Sequence, residues 1–280
     1  MRDARPLPHR SSGGPDKPAG AADCAPDVRA TRPTGVMGEA APSPAPSTII
    51  LLHGFAGLAI MNRPLAHRLR RLGYRPVEIG YDSWGQSLDR ICACLEPQLS
   101  RLNGEETVHI VAHSMGGLVA RALIHRRRPA RLGKVIMLGT PNGGSEVADF
   151  LDRTPWLRPV LGRAAPALIT HRPAAVDDLF GPVDYELGII AGDRPLMPGA
   201  ASRLLPAPSD GKVSVASTRL AGAADHIILP LSHSMLPYHE LAHRQISHFL
   251  EHGLFAHDEQ TADADKPYPE RNIPRSGGFI

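Results

Sequence analysis

Short, uninterrupted apolar runs recur along this chain, with helical patterns between them. Residues 48–53 (TIILLH), 107–112 (TVHIVA), 134–138 (KVIML), 186–191 (ELGIIA) and 226–229 (HIIL) read as strands. A run without polar alternation suits a strand covered on both faces. Residues 75–79 form a weaker strand signal. Helical periodicity covers 64–72, closed by Gly73, and 88–102, where Leu88, Ile91, Leu95, Leu99 and Leu102 form one stripe before an Asn103-Gly104 stop. Further helices are predicted over 115–125 and 235–252. Strands alternating with helices imply right-handed crossovers and an α/β domain with a doubly wound, mostly parallel sheet. In such sheets the chemistry lies beyond the carboxyl ends of the strands, so the residues that follow each strand matter most.

Composition sets the limits of this domain. Residues 1–46 hold nine prolines and only three residues from Leu, Ile, Val and Phe. Such a stretch buries too little apolar surface to offset its ordering entropy, and a disordered Pro-rich tail is expected. A second loose, polar tail is expected over 257–280. The folded domain is then 47–256, a normal size for one α/β unit. The charge balance, 31 basic against 28 acidic residues, lacks the basic excess of a nucleic-acid binder. Three cysteines are too few for a disulfide scaffold. No apolar run approaches the roughly 20 residues of a membrane span, and the N-terminal segment has no apolar core of a secretory signal. A cytoplasmic location follows as an expectation.

Three strand ends carry chemistry. After TVHIVA comes His113-Ser114-Met115-Gly116-Gly117. A serine at a sharp strand-to-helix turn has the geometry of a nucleophile elbow, and the tight turn demands small residues two before and two after it. Ala112 and Gly116 meet that demand. The elbow sets Ser114 at a helix N-terminus, where developing negative charge is favoured and the Met115 N–H can serve an oxyanion. After TIILLH comes His53-Gly54-Phe55, a loop that suits the second oxyanion donor, the Phe55 N–H. His53, Gly54 and His113 flank these positions and are the expected substrate-binding residues. After HIIL comes Ser232-His233, and His233 lies where a catalytic base belongs; His226 opens that strand, at its wrong end. Two acids precede His233: Asp193 directly after ELGIIAG, and Asp210 in Asp-Gly-Lys-Val. Each also has a turn role open to it, and chain order does not choose between them.

Taken together, His-Gly-Phe, Ala-His-Ser-Met-Gly-Gly, Leu138-Gly139-Thr140-Pro141-Asn142-Gly143-Gly144-Ser145, Asp210-Gly-Lys-Val and Ser232-His233 resemble the α/β-hydrolase superfamily. The similarity is to its bacterial lipases and esterases, including inositol-deacylase-like lipases. The resemblance spans 47–255 and covers neither tail. It implies an α/β-hydrolase fold with a small helical cap insertion. It also implies that the acid is Asp210, since in that branch the acid stands in an Asp-Gly-x-Val segment. The implied reaction is cleavage of a carboxylic ester through an acyl-serine, with Ser114 as nucleophile, His233 as base, Asp210 as its partner, and Phe55 and Met115 N–H groups as the oxyanion hole. Such chemistry needs no metal and no organic cofactor. An acyltransferase or thioesterase would use the same residues. A non-enzymatic binding module on this fold is disfavoured because every triad position is filled. The implied partner is a small ester or lipid substrate, with transient contact to a lipid surface.

Two segments carry competing readings. Residues 145–182 are too long for a simple connection and include Trp156, Leu157, Leu161, Leu168, Leu179 and Phe180. They are read as a cap that shapes an apolar acyl pocket, or as a helical excursion that only packs on the core. His239-Glu240-Leu241-Ala242-His243 matches the H-E-x-x-H zinc signature. No third ligand stands at the required spacing, and helical spacing puts His239 on the face of Ala242, Ile246 and Phe249, so it is expected to pack against the sheet.

Overall fold

The computed structural model describes residues 47–102, 106–196 and 204–257. The tail expected over 1–46, nearly all of that over 257–280, and the Asn103-Gly104 helix stop lie outside the described residues. Six strands form one sheet: β1 (Thr48–Leu52), β2 (Arg75–Ile79), β3 (Val108–His113), β4 (Leu132–Leu138), β5 (Leu187–Gly192) and β6 (Asp225–Leu229). Their order is β2-β1-β3-β4-β5-β6, and every pairing is parallel. The chain starts at β1, steps to β2 on one side, then returns to β3 on the other. The reversal of direction opens a crevice at the carboxyl ends of β1 and β3. His53-Gly54 and His113-Ser114 lie there.

The apolar runs are strands because both of their faces are covered. In β1, Ile50 and Leu52 join the cluster that includes residues of α2 (Leu88–Arg101) and α3 (Met115–Arg126). Ile49 and Leu51 join the opposite cluster, with α1 (Arg63–Arg71) and the last helix. Burying a Leu or Ile side chain fully is worth about 1.5–3 kcal/mol, so alternate residues of one strand stabilise two separate interfaces. Local signals set the helix ends. Ser87 Oγ accepts the Arg90 N–H at 3.3 Å to cap α2, and Pro64 stands in the first turn of α1, where no backbone N–H is missed.

Segment 145–182 holds α4 (Glu146–Arg153), a 3-10 stretch (Arg158–Ala164), α5 (Ala165–Leu168) and α6 (Ala174–Asp177). Ala148, Leu161, Ala164 and Leu168 are buried in the same cluster as α2 and α3, whereas Trp156 stays 77% exposed. Arg172 pins the segment down. Its guanidinium donates to the Ala167 carbonyl at 2.8 Å, the Asn142 carbonyl at 2.7 Å and the Pro141 carbonyl at 2.6 Å. Burial holds its pKa down at about 10, leaving it a cation at neutral pH.

The short helix α7 (Val215–Thr218) precedes β6, and α8 (Glu240–His252) ends the described domain. The predicted start of that last helix at 235 is corrected. Residues 235–238 form turns, and His239 is the N-cap, its Nδ1 accepting the Leu241 N–H at 3.2 Å. A capping residue has extended backbone and lies outside the helical wheel, so His239 does not share the buried face. The buried histidine of the motif is His243, whose Nε2 hydrogen-bonds the Pro237 carbonyl at 2.9 Å. No helix among the described residues is long and apolar enough to cross a membrane.

Candidate active site

Ser114 sits between β3 and α3 with φ 55° and ψ −127°, a left-handed conformation that a non-glycine residue adopts only under constraint. The constraint is visible. The Ser114 N–H donates to the Leu138 carbonyl at 2.8 Å, and the Thr140 hydroxyl donates to the Ser114 carbonyl at 3.0 Å. The end of β4 therefore grips the turn from both sides. Gly116 is required by packing: a Cβ there would lie 2.6 Å from the His53 carbonyl oxygen and 2.8 Å from that of Leu52. The start of α3 thus rests directly on the end of β1.

His233 Nε2 lies 2.9 Å from Ser114 Oγ, and His233 Nδ1 lies 2.7 Å from Asp210 Oδ2. His233 and Asp210 are buried; Ser114 is partly open to solvent. Asp210 fills its second oxygen locally. Oδ1 accepts the Lys212 and Val213 N–H groups at 2.9 and 2.8 Å, in a turn that Gly211 completes at φ 95°. The turn role and the bond to His233 thus belong to the same side chain using different oxygens. The His233 N–H also donates to the Asp210 carbonyl at 3.0 Å, so the two loops are tied twice. Of the two acids weighed, Asp210 is the one bonded to His233. Asp193 follows β5, its N–H bonded to the Leu229 carbonyl and its carboxylate 3.5 Å from the Arg194 guanidinium.

No family profile matches the chain, and no curated protein sequence does either. Solved structures do match. The mature form of the Bacillus licheniformis lipase BlEst2 is 21% identical, over 75% of this chain and 93% of that one, with a TM-score of 0.63. A metagenomic carboxyl esterase, MGS0156, is 17% identical over 72% and 68% of the two chains, with a TM-score of 0.53. A hydrolase from Oleispira antarctica is 15% identical over 74% and 91%, with a TM-score of 0.52. The chain has the α/β-hydrolase fold.

Within this hydrolase fold the loop after β1 closes on the serine. A Cβ added to Gly54 would lie 3.0 Å from Ser114 Cβ, so the backbone of 54 runs against the elbow. The loop is held in shape by residues that sequence reasoning did not assign. The Ser83 hydroxyl accepts the Ala56 N–H at 2.8 Å, where Ala56 has φ 52°. The Tyr81 ring stacks on His53 with centroids 4.1 Å apart, its hydroxyl donates to the His53 carbonyl, and its N–H donates to His53 Nε2 at 3.3 Å. The only sequence trace of this support is the Gly80-Tyr81-Asp82-Ser83 run just past β2, at another strand's carboxyl end.

The expected substrate-binding residues have these places. Gly54 faces the serine, as described. His53 is buried, and its Nδ1 donates to the Gly54 carbonyl at 2.8 Å. His113 donates from Nε2 to the His233 carbonyl at 3.0 Å, with ring centroids 4.9 Å apart. Burial first, then the neighbouring His233, push the His113 pKa well below the ordinary imidazole value, and burial lowers that of His53. Both rings therefore stay neutral at working pH and act as fixed hydrogen-bonding groups. Among the described residues, neither the Phe55 nor the Met115 N–H is taken by another protein group. No cluster of three or more His, Cys, Asp or Glu side chains is placed among the described residues to share an ion.

Proposed function

We propose that the protein hydrolyses carboxylic esters through an acyl-serine intermediate. The hydrogen-bonded series Ser114 Oγ, His233, Asp210, mounted on a strained elbow, supports this reading above all. His233 Nε2 takes the Ser114 proton as Oγ attacks the ester carbonyl, and returns it to the departing alcohol. Asp210 fixes the tautomer with the proton on Nδ1 and stabilises the imidazolium that forms. The unengaged N–H groups of Phe55 and Met115 receive the tetrahedral oxyanion, each worth roughly 3–4 kcal/mol. Water, activated by the same histidine, then releases the acid. The lipase and esterase activities in the names of the similar structures agree with this reaction class.

The test is active-site labelling. A fluorophosphonate should modify the folded wild type and leave Ser114→Ala unlabelled, while turnover of a p-nitrophenyl ester falls by about 10⁶-fold in the variant. Folded wild type that resists the probe and leaves the ester intact would overturn the reading.

A further inference from the structure

The bond between His233 and Asp210 continues on the far side of the acid. Asp210 Oδ1 accepts the Val213 N–H at 2.8 Å, and that N–H belongs to the same peptide unit as the Lys212 carbonyl. The Ser145 hydroxyl donates to the Lys212 carbonyl at 2.7 Å. Ser145 is also the N-cap of α4, its Oγ accepting the Ala148 N–H at 3.4 Å. One chain of hydrogen bonds thus runs from the first turn of α4, through Ser145 and a single peptide unit, to Asp210. From there it passes through His233 to Ser114. Ser145, Val213, Asp210 and His233 are all buried, so little water competes for these groups.

Capping alone does not require this arrangement. A capping serine serves its helix with an oxygen lone pair, and its proton remains to be placed. Here the proton is turned onto a peptide whose opposite side faces the acid. Donation to that carbonyl draws electron density toward its oxygen and leaves the Val213 N–H a stronger donor to Asp210. Hydrogen bonds in series reinforce one another in this way, and each is stronger at low local dielectric. The two loops do not depend on Ser145 for their contact. The Gly143 N–H donates to the Ser217 carbonyl at 2.8 Å, and the Asn142 amide donates to the Thr218 carbonyl at 2.8 Å. The Ser217 hydroxyl donates to the Gly144 carbonyl. Loss of the Ser145 hydroxyl therefore removes one link of the chain and leaves the corner assembled.

We propose that Ser145 is a positioning residue for the reaction. Through the Lys212–Val213 peptide it fixes the Asp210 carboxylate, and with it the His233 imidazole, so segment 145–182 meets the triad at its first residue. This rests on Ser114 acting as the ester-cleaving nucleophile. Ser145→Ala and Ser145→Gly both remove the hydroxyl, but glycine caps a helix almost as well as serine and alanine does not. Both variants should lower kcat for p-nitrophenyl acetate by about tenfold with KM unchanged, the fold-change equivalent to one neutral hydrogen bond. Only the alanine variant should also lose Tm. Ser145→Thr, which keeps the cap and the donor, should keep the wild-type kcat. In proton NMR the His233 Nδ1–H signal should move in the alanine and glycine variants and stay in place in the threonine variant. Thr170→Val removes the Thr170 hydroxyl bond to Asp149 Oδ2 at 2.5 Å, loosening α4 without touching Ser145. It should lower Tm and leave kcat and the signal unchanged. A glycine variant with the kcat and the NMR signal of the wild type, or kcat losses that simply follow Tm across the four variants, overturns the proposal. Labelling of Ser114 and ester turnover then leave the ester-hydrolase reading standing. Wild type with neither labelling nor turnover overturns both.

Discussion

Strand β3 carries a histidine near each end, and the two do opposite work. His109 lies toward the amino end, buried, with Nδ1 accepting the Lys134 N–H at 2.9 Å and the Tyr74 ring set edge-on against it. His113 lies at the carboxyl end, against His233 and the loop of Gly54. Both imidazoles are held neutral by burial: the His109 pKa is lowered to about 4, and that of His113 well below its ordinary value. Residue type and electrostatic state are therefore the same. The difference is what surrounds them. At the amino end the ring satisfies one backbone N–H and packs. At the carboxyl end the backbone is strained, the neighbours approach through glycines, and polar side chains from three loops converge. A doubly wound sheet concentrates function at one end because its loops meet there at the point where strand order reverses.

That contrast can be broken by substitutions that should act on activity at one end and on stability at the other. After Ser114→Ala, the largest effect is expected for Asp210→Asn, which keeps the turn but loses control of the His233 tautomer: kcat should fall by about 10⁴-fold with Tm little changed. Asp193→Asn, measured in parallel, should leave kcat within a few-fold, because its carboxylate meets Arg194 and not His233. Equal losses in the two variants would remove Asp210 from its role.

Gly116→Ala comes next. Its new methyl would press on the His53 and Leu52 carbonyls, and backbone cannot yield as a side-chain tip can. The loop of Phe55 should move away from Ser114, lowering kcat by about 10²-fold, as a displacement near 1 Å can do. Overpacking should cost about 1–3 kcal/mol of stability, read from denaturant unfolding. An unchanged kcat would show that this contact does not position the loop.

The smallest effect belongs to the amino end. The His109 pKa is about 4 in the folded protein against an ordinary 6.5, so between those values the unfolded chain binds the extra proton. Stability should hold above pH 6.5 and decline as pH falls through that window. His109→Asn, whose Oδ1 can accept the Lys134 N–H without titrating, should flatten that decline in a Tm-versus-pH series while leaving ester turnover unchanged. A variant as acid-sensitive as wild type would assign the decline to other buried histidines.

Much of this was legible in the chain. The apolar runs give the strands, because covering both faces of a sheet leaves no place for polar alternation. The Ala-His-Ser-Met-Gly series gives the elbow, because a tight turn with positive φ tolerates only small flanking residues. Other features were not legible. A helical start at 235 fitted the periodicity, yet His239 caps the helix instead, a choice made by extended backbone at 239 rather than by residue type. Tyr81, Ser83 and Arg172 support the site across long sequence separations, and single residues with no periodic partner leave no pattern.

The sequence by itself determined the alternation of strands and helices, the serine turn and the short list of acids and bases that could serve it. Those are local properties, fixed by side-chain size, periodicity and backbone freedom. Only the tertiary structure decided that Asp210 rather than Asp193 meets His233, and that His53 and His113 spend their polar atoms holding loops. These depend on which loops the parallel sheet brings to one end, and a hydrogen bond across more than a hundred residues is set by that packing and not by any neighbour in the chain.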